Sequence, residues 1–102
     1  MGKLVECICW NGNDAYSVHL TLKELVAERT RLRGEAFKII KEHADDPNFQ
    51  HLMYYRDVRN EEDEIERAYL YSSMIPFTDE MLYKAVDGLT QKGFYGVVHR
   101  HE

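Results

Sequence analysis

Two short pairs of ligand-type residues stand near opposite ends of the chain, Cys7-x-Cys9 and His99-x-His101. Two thiolates and two imidazoles make a complete tetrahedral zinc shell, and residues i and i+2 of a strand share a face, so a pair of neighbouring strands would bring all four together. Structural zinc sites more often take cysteines two to four residues apart on a turn. The plainer expectation is therefore two small core side chains and a polar terminal segment, with no metal and no cofactor. A cysteine nucleophile activated by His19 or His99 is the other chemistry open to the pair. It needs a lowered thiol pKa and a positioned base, and no surrounding motif supplies either. The metal or thiol reading of Cys7, Cys9, His99 and His101 stands as the alternative to a binding role.

No glycine-rich phosphate loop, HExxH pair or GxSxG elbow occurs in the sequence. Such motifs carry specific chemistry because their spacing builds a phosphate cradle, a metal pair or a nucleophile elbow. Carboxylates abound, but they fall on helix faces and loop tips where water solvates them, and acid–base work needs desolvation in a pocket. The expectation is a protein that is not an enzyme.

Three groups of residues suit binding instead. Arg29 and Arg33 fall inside the apolar arc of a helix, at about 40° and 80° on a wheel with Leu25 at zero. Polar residues that break a pattern concentrate at functional sites, and a guanidinium pair there can grip a carboxylate or phosphate. Glu61, Glu62, Asp63 and Glu64 form an acidic run between two β-rich segments. Tyr55, Tyr69 and Tyr71 place large rings on strands whose two faces are both apolar-rich, which leaves surface to spare, and tyrosine is favoured at interfaces. All nine are candidate partner-binding residues. Stacking of bases on the tyrosines is disfavoured by the acidic balance.

The elements that must position these residues are readable in turn. Leu4 to Trp10 is β-prone, Asn11-Gly12-Asn13-Asp14 supplies tight-turn chemistry, and Tyr16 to Leu20 returns as the second strand. Thr21-Leu22-Lys23-Glu24 is a capping box that starts a helix. That helix carries Leu22, Leu25, Val26, Leu32, Ala36, Ile39, Ile40 and Ala44 on one side and Glu28, Arg31, Glu35, Lys38 and Glu42 on another, with Gly34 a point where it can kink or split. Asp45-Asp46-Pro47-Asn48 reads as the stop. His51 to Val58 and Ile65 to Ile75 read as a second hairpin with the acidic tip, although helix is tolerated in part of 61–70. Thr78 caps a second helix with Met81, Leu82, Ala85, Val86 and Leu89 as its apolar stripe, Gly93 suits its C-terminal end, and Phe94 to His99 is a last strand.

The order β-β-α-β-β-α-β over residues 1–102 predicts one α+β domain, an antiparallel sheet of about five strands with two helices packed on one face. Tyr16-Ser17 and Tyr71-Ser72 each precede a Thr-capped helix, a faint sign of a ββα duplication.

Composition sets the class. The chain has 102 residues, 44% apolar and 30% charged, with two prolines and six glycines, a globular composition of one domain's size. Its net charge is -5. The first fifty residues hold seven basic and eight acidic side chains and the remainder six and ten, so most of the deficit lies in the second half. That balance repels phosphate backbones and favours a basic protein partner or a second copy of the chain, with nucleic acid disfavoured. Two cysteines two residues apart would close a strained loop, so a disulfide scaffold is excluded and a reducing, cytoplasmic setting expected. No apolar run is long enough for a membrane span or a signal h-region. The function expected is that of a small acidic, non-catalytic protein acting through protein–protein contacts. An inhibitor or adaptor, such as a phage- or plasmid-encoded protein directed at a host nucleic-acid machine, fits that profile.

Overall fold

The computed structural model of the chain describes residues 3–11, 14–46 and 48–100, with the backbone alone at Asn11 and 97–100. Its elements follow the expected order: β1 (Val5–Asn11), β2 (Asp14–Leu20), α1 (Leu22–Glu42), β3 (Phe49–Arg59), β4 (Ile65–Pro76), α2 (Asp79–Gln91) and β5 (Tyr95–Arg100). Gly12 and Asn13 of the first turn lie outside the described residues.

Each helix is bounded by the chemistry of its ends. Thr21 Oγ1 accepts the Glu24 amide at 3.1 Å and the Glu24 carboxylate accepts the Thr21 amide at 3.0 Å, so two amides without intrahelical partners are satisfied reciprocally. The bond from the Thr21 amide holds the Glu24 carboxyl below its ordinary value. Gly34 does not split α1, which runs unbroken for 21 residues; nothing lies within 4 Å of where its Cβ would stand, so the glycine weakens propensity locally without forcing a bend. At the end of α2, Gly93 takes φ 82°. Its amide bonds to Thr90 and the Phe94 amide to Leu89, both at 3.0 Å, the paired bonds of a Schellman stop whose apolar contact is Phe94 against Leu89.

The five strands lie in the order β2-β1-β4-β3-β5. The sheet is mixed, which corrects the antiparallel expectation: β1 and β4 run parallel, from Glu6 beside Arg67 to Asn11 beside Ser72, while the other three pairings are antiparallel. Two local hairpins have been joined along their first and second strands, respectively. The 61–70 segment enters β4 at Ile65 and contains no helix.

The helices are not on one face. Leu25 and Leu32 of α1 pack with Val5, Cys7, Cys9, Met53, Ala68 and Leu70, whereas Leu82 of α2 packs with Leu52, Tyr54, Phe77 and Phe94. Neighbours in β3 such as Leu52 and Met53 point to opposite faces, so the two clusters sandwich the sheet. The hand of the crossovers explains this. β2-α1-β3 and β4-α2-β5 each join strands of like direction and both step the same way across the sheet, but the first pair runs opposite to the second. Right-handed crossovers under those conditions must pass on opposite faces. The units β1-β2-α1 and β3-β4-α2 are thus related by a half-turn about an axis lying in the sheet across the strands, combined with a shift of two strands along that axis. Tyr16 and Tyr71 of the matched segments likewise face opposite sides.

Burial is deepest where the helices cross the central strands. Leu25, Leu52 and Leu70 are fully enclosed, and each such side chain contributes about 2 kcal/mol. Because α1 crosses β3 and β4 and packs on the side chains of β1 while α2 packs on β3, Phe77 and Phe94, the strip of the α1 face along Tyr55 and β5 is left open.

Candidate functional site

That uncovered region is a groove of about 520 Å³ lined by α1, β3 and β5, within the size range of ligand clefts. Val26, Arg29, Thr30 and Arg33 follow the i, i+3, i+4, i+7 spacing that gives one flank of a helix. Met53 and Tyr55 are alternate residues of β3, and Tyr95 of β5 stands opposite Tyr55 in register. The two tyrosine rings lie 6.4 Å apart at 53°. Gly96 forms part of the floor because only glycine fits there: a Cβ would stand 2.1 Å from the Met53 carbonyl oxygen and 2.6 Å from Tyr54 Cα. The Tyr54 ring covers the place on the other face that a side chain would have taken.

The groove is apolar at its rim and cationic along one wall. Val26 is 61% exposed and Tyr95 67%, more than an isolated packing role explains. Arg29 lies over the Tyr55 ring at 4.5 Å and forms an ion pair with Asp57. Its Nε is buried without a hydrogen-bond partner. Arg33 is exposed, and no ion pair to it is formed among the described residues. The Thr30 hydroxyl is already engaged with the Val26 carbonyl at 3.0 Å.

The structure thus brings Arg29, Arg33 and Tyr55 together and separates the other candidates. Tyr69 and Tyr71 lie on the opposite face, half-buried against the α2 cluster; Tyr69 stacks with Trp10 at 6.1 Å and meets Phe94 edge-on. Glu61, Glu62, Asp63 and Glu64 are exposed at the β3–β4 tip, which is built rather than loose. Asn60 Oδ1 accepts the amides of Glu62 and Glu64 at 3.0 Å each, Asp63 takes φ 62°, and Arg59 donates to the Asp63 carbonyl at 2.7 Å.

Cys7 and Cys9 are buried with their sulfurs 3.6 Å apart. Their hydrogen bond eases loss of the Cys9 proton and, with burial, makes Cys7 hold its own more tightly. Two strands separate β1 from β5, about 14 Å at about 4.8 Å per step, so Cys9 and His99 do not lie on neighbouring strands; His101 lies outside the described residues. Among the described residues no three metal-ligating side chains cluster.

His51 Nε2 lies 3.1 Å from Ser72 Oγ, the spacing of a base and a hydroxyl nucleophile. Both are buried, and neither lines the groove or the shallow surface beside Tyr83 on α2. Val26, Met53 and Tyr95 were not legible as site residues. The available signal was Gly96 inside a β-prone run, which marks a close backbone approach.

No known protein family, characterised protein or solved structure gives a match to the chain. No described helix is long and apolar enough to cross a membrane.

Proposed function

We propose that the chain is a non-catalytic protein-binding domain, an adaptor or inhibitor in the broad sense, and that the groove between α1 and β3–β5 is its docking site. The observation that carries this reading is the juxtaposition of Arg29 and Arg33 with the exposed apolar rim of Val26 and Tyr95. A guanidinium beside aromatic rings favours a carboxylate carried next to an apolar side chain. Tyrosine and arginine are also the residues that dominate interface energetics. The whole-chain charge of -5 favours basic partners at long range, whereas the groove itself selects an acidic segment at contact distance.

The test is a titration of isotope-labelled protein with an acetylated, amidated peptide alternating glutamate and leucine, against its lysine counterpart. The acidic peptide is expected to shift backbone resonances of 26–33, 53–55 and 95–96 saturably, and the lysine peptide to leave them alone. Tyr95→Ala and Arg33→Glu should each weaken the response. Shifts centred on the outer side of α2, or none at all, would overturn the assignment.

A further inference from the structure

The groove and the acidic hairpin tip are complementary in charge, yet they cannot meet within one chain. Tyr55, on the groove floor, and Asn60, where the tip begins, belong to the same extended strand and its turn, five residues apart. At about 3.3 Å per residue the strand holds them about 16 Å apart, and β4 is paired along nearly its whole length, so the tip has no freedom to fold back. Any contact between tip and groove is therefore between molecules.

The tip is fit for such a contact. It overhangs the sheet, since β5 pairs with β3 only as far as Tyr55 and β1 pairs with β4 from Arg67 onward. The Asn60 hydrogen bonds fix its backbone in advance, so little ordering entropy is lost on docking. Asp63 lies 3.9 Å from Arg59, but Glu61 and Glu62 form no ion pair among the described residues. Arg33 is in the same position in the groove.

Resting on the reading of the groove as a docking site, we propose that its occupant is the hairpin tip of a second copy of this chain, exchanged reciprocally across a two-fold axis with Glu61 and Glu62 facing the partner's Arg33. The symmetry follows from the placement of both features on one molecule. A reciprocal pairing closes as a dimer and uses two contacts, whereas a head-to-tail pairing would leave a tip and a groove open at the ends.

The experiment is sedimentation velocity on the untagged protein from micromolar to millimolar concentration, with the charge-reversed variants Arg33→Glu and Glu61→Lys/Glu62→Lys. All three altered positions are exposed, so thermal melts should show the variants folded. The wild type should dimerise, each variant alone should dissociate about tenfold more readily, and an equimolar mixture of the two should recover a dimer as the mixed species. A dimer indifferent to both reversals, or variants that do not rescue one another, would overturn the proposal. So would a wild type that stays monomeric. In that case the peptide titration separates the two claims: groove shifts with the glutamate–leucine peptide leave the docking site standing with another occupant, and their absence removes both.

Discussion

The Arg29 guanidinium carbon lies 4.5 Å from the centre of the Tyr55 ring. The same guanidinium is ion-paired with Asp57, two residues further along β3 on the same face. Both partners are largely shielded, with side chains 20% and 17% exposed, so the pair is screened less than a surface bridge. Arg29→Met, which keeps most of the stem's packing but strands the Asp57 carboxylate, should cost about 2 kcal/mol. A urea midpoint unchanged from wild type, at unchanged slope, would show that water already satisfies the carboxylate.

Gly96→Ala forces a methyl into the Met53 carbonyl and the Tyr54 backbone. Backbone cannot yield as a flexible side chain does, so the expected result is loss of β5 from the sheet edge, with a cost of about 3 kcal/mol or more. Hydrogen exchange checks it directly: amides of 50–55 that face β5 should lose protection while the β1–β4 pairing keeps its own.

Alkaline pH should weaken the fold. Cys7, Tyr16 and Tyr54 all hold their protons more tightly than usual, Cys7 chiefly through its bond with Cys9, Tyr16 and Tyr54 through burial. The unfolded chain releases these protons first, so it binds fewer than the native state above the ordinary thiol value of 9.0, and stability falls as pH rises. Cys9, which gives up its proton more easily than usual, acts in the opposite sense below 9.0, so the fall belongs above that value, and Cys7→Ala should flatten its first part in melts recorded from pH 9 to 11. An unaltered profile would mean that the thiol pair does not resist ionisation.

At the acid end the capping box gives the opposite sign. Glu24 is held below its ordinary 4.5 by the Thr21 amide, so its contribution is present above that value and fades as pH falls through the lowered one. The difference in melting temperature between wild type and Glu24→Gln should be visible at pH 7 and vanish near pH 3. Thr21→Ala, which removes the other half of the box, should cost about 1 kcal/mol.

Local chemistry made the elements readable, and its limits explain what was missed. The Thr21 capping box, the Thr78 cap, the Gly93 stop and the two hairpins are decided by neighbours in sequence, and they stand within a few residues of expectation. The parallel β1–β4 seam is not decided locally, since nothing in Cys7 or Ala68 names the other. The alternation in β3, apolar at both Leu52 and Met53, was visible, but it has two meanings: spare surface for a partner, or a helix on each face. Only the crossover geometry separates them. That is why Tyr69 and Tyr71 lie half-buried against the α2 cluster, and why Tyr55 alone of the three tyrosines lines the groove. Arg29 and Arg33 were legible as candidates because a cation inside an apolar arc conflicts with its surroundings wherever the helix packs.

The parallel seam also sets a timetable for folding. Each hairpin closes over a short stretch of chain and can form early, but the seam joins Glu6 to Arg67, about sixty positions apart, and that loop entropy must be met before any of its hydrogen bonds form. Two ready-made hairpins should therefore wait on one slow encounter, and substitutions at the seam should slow refolding more than equally costly substitutions within either hairpin.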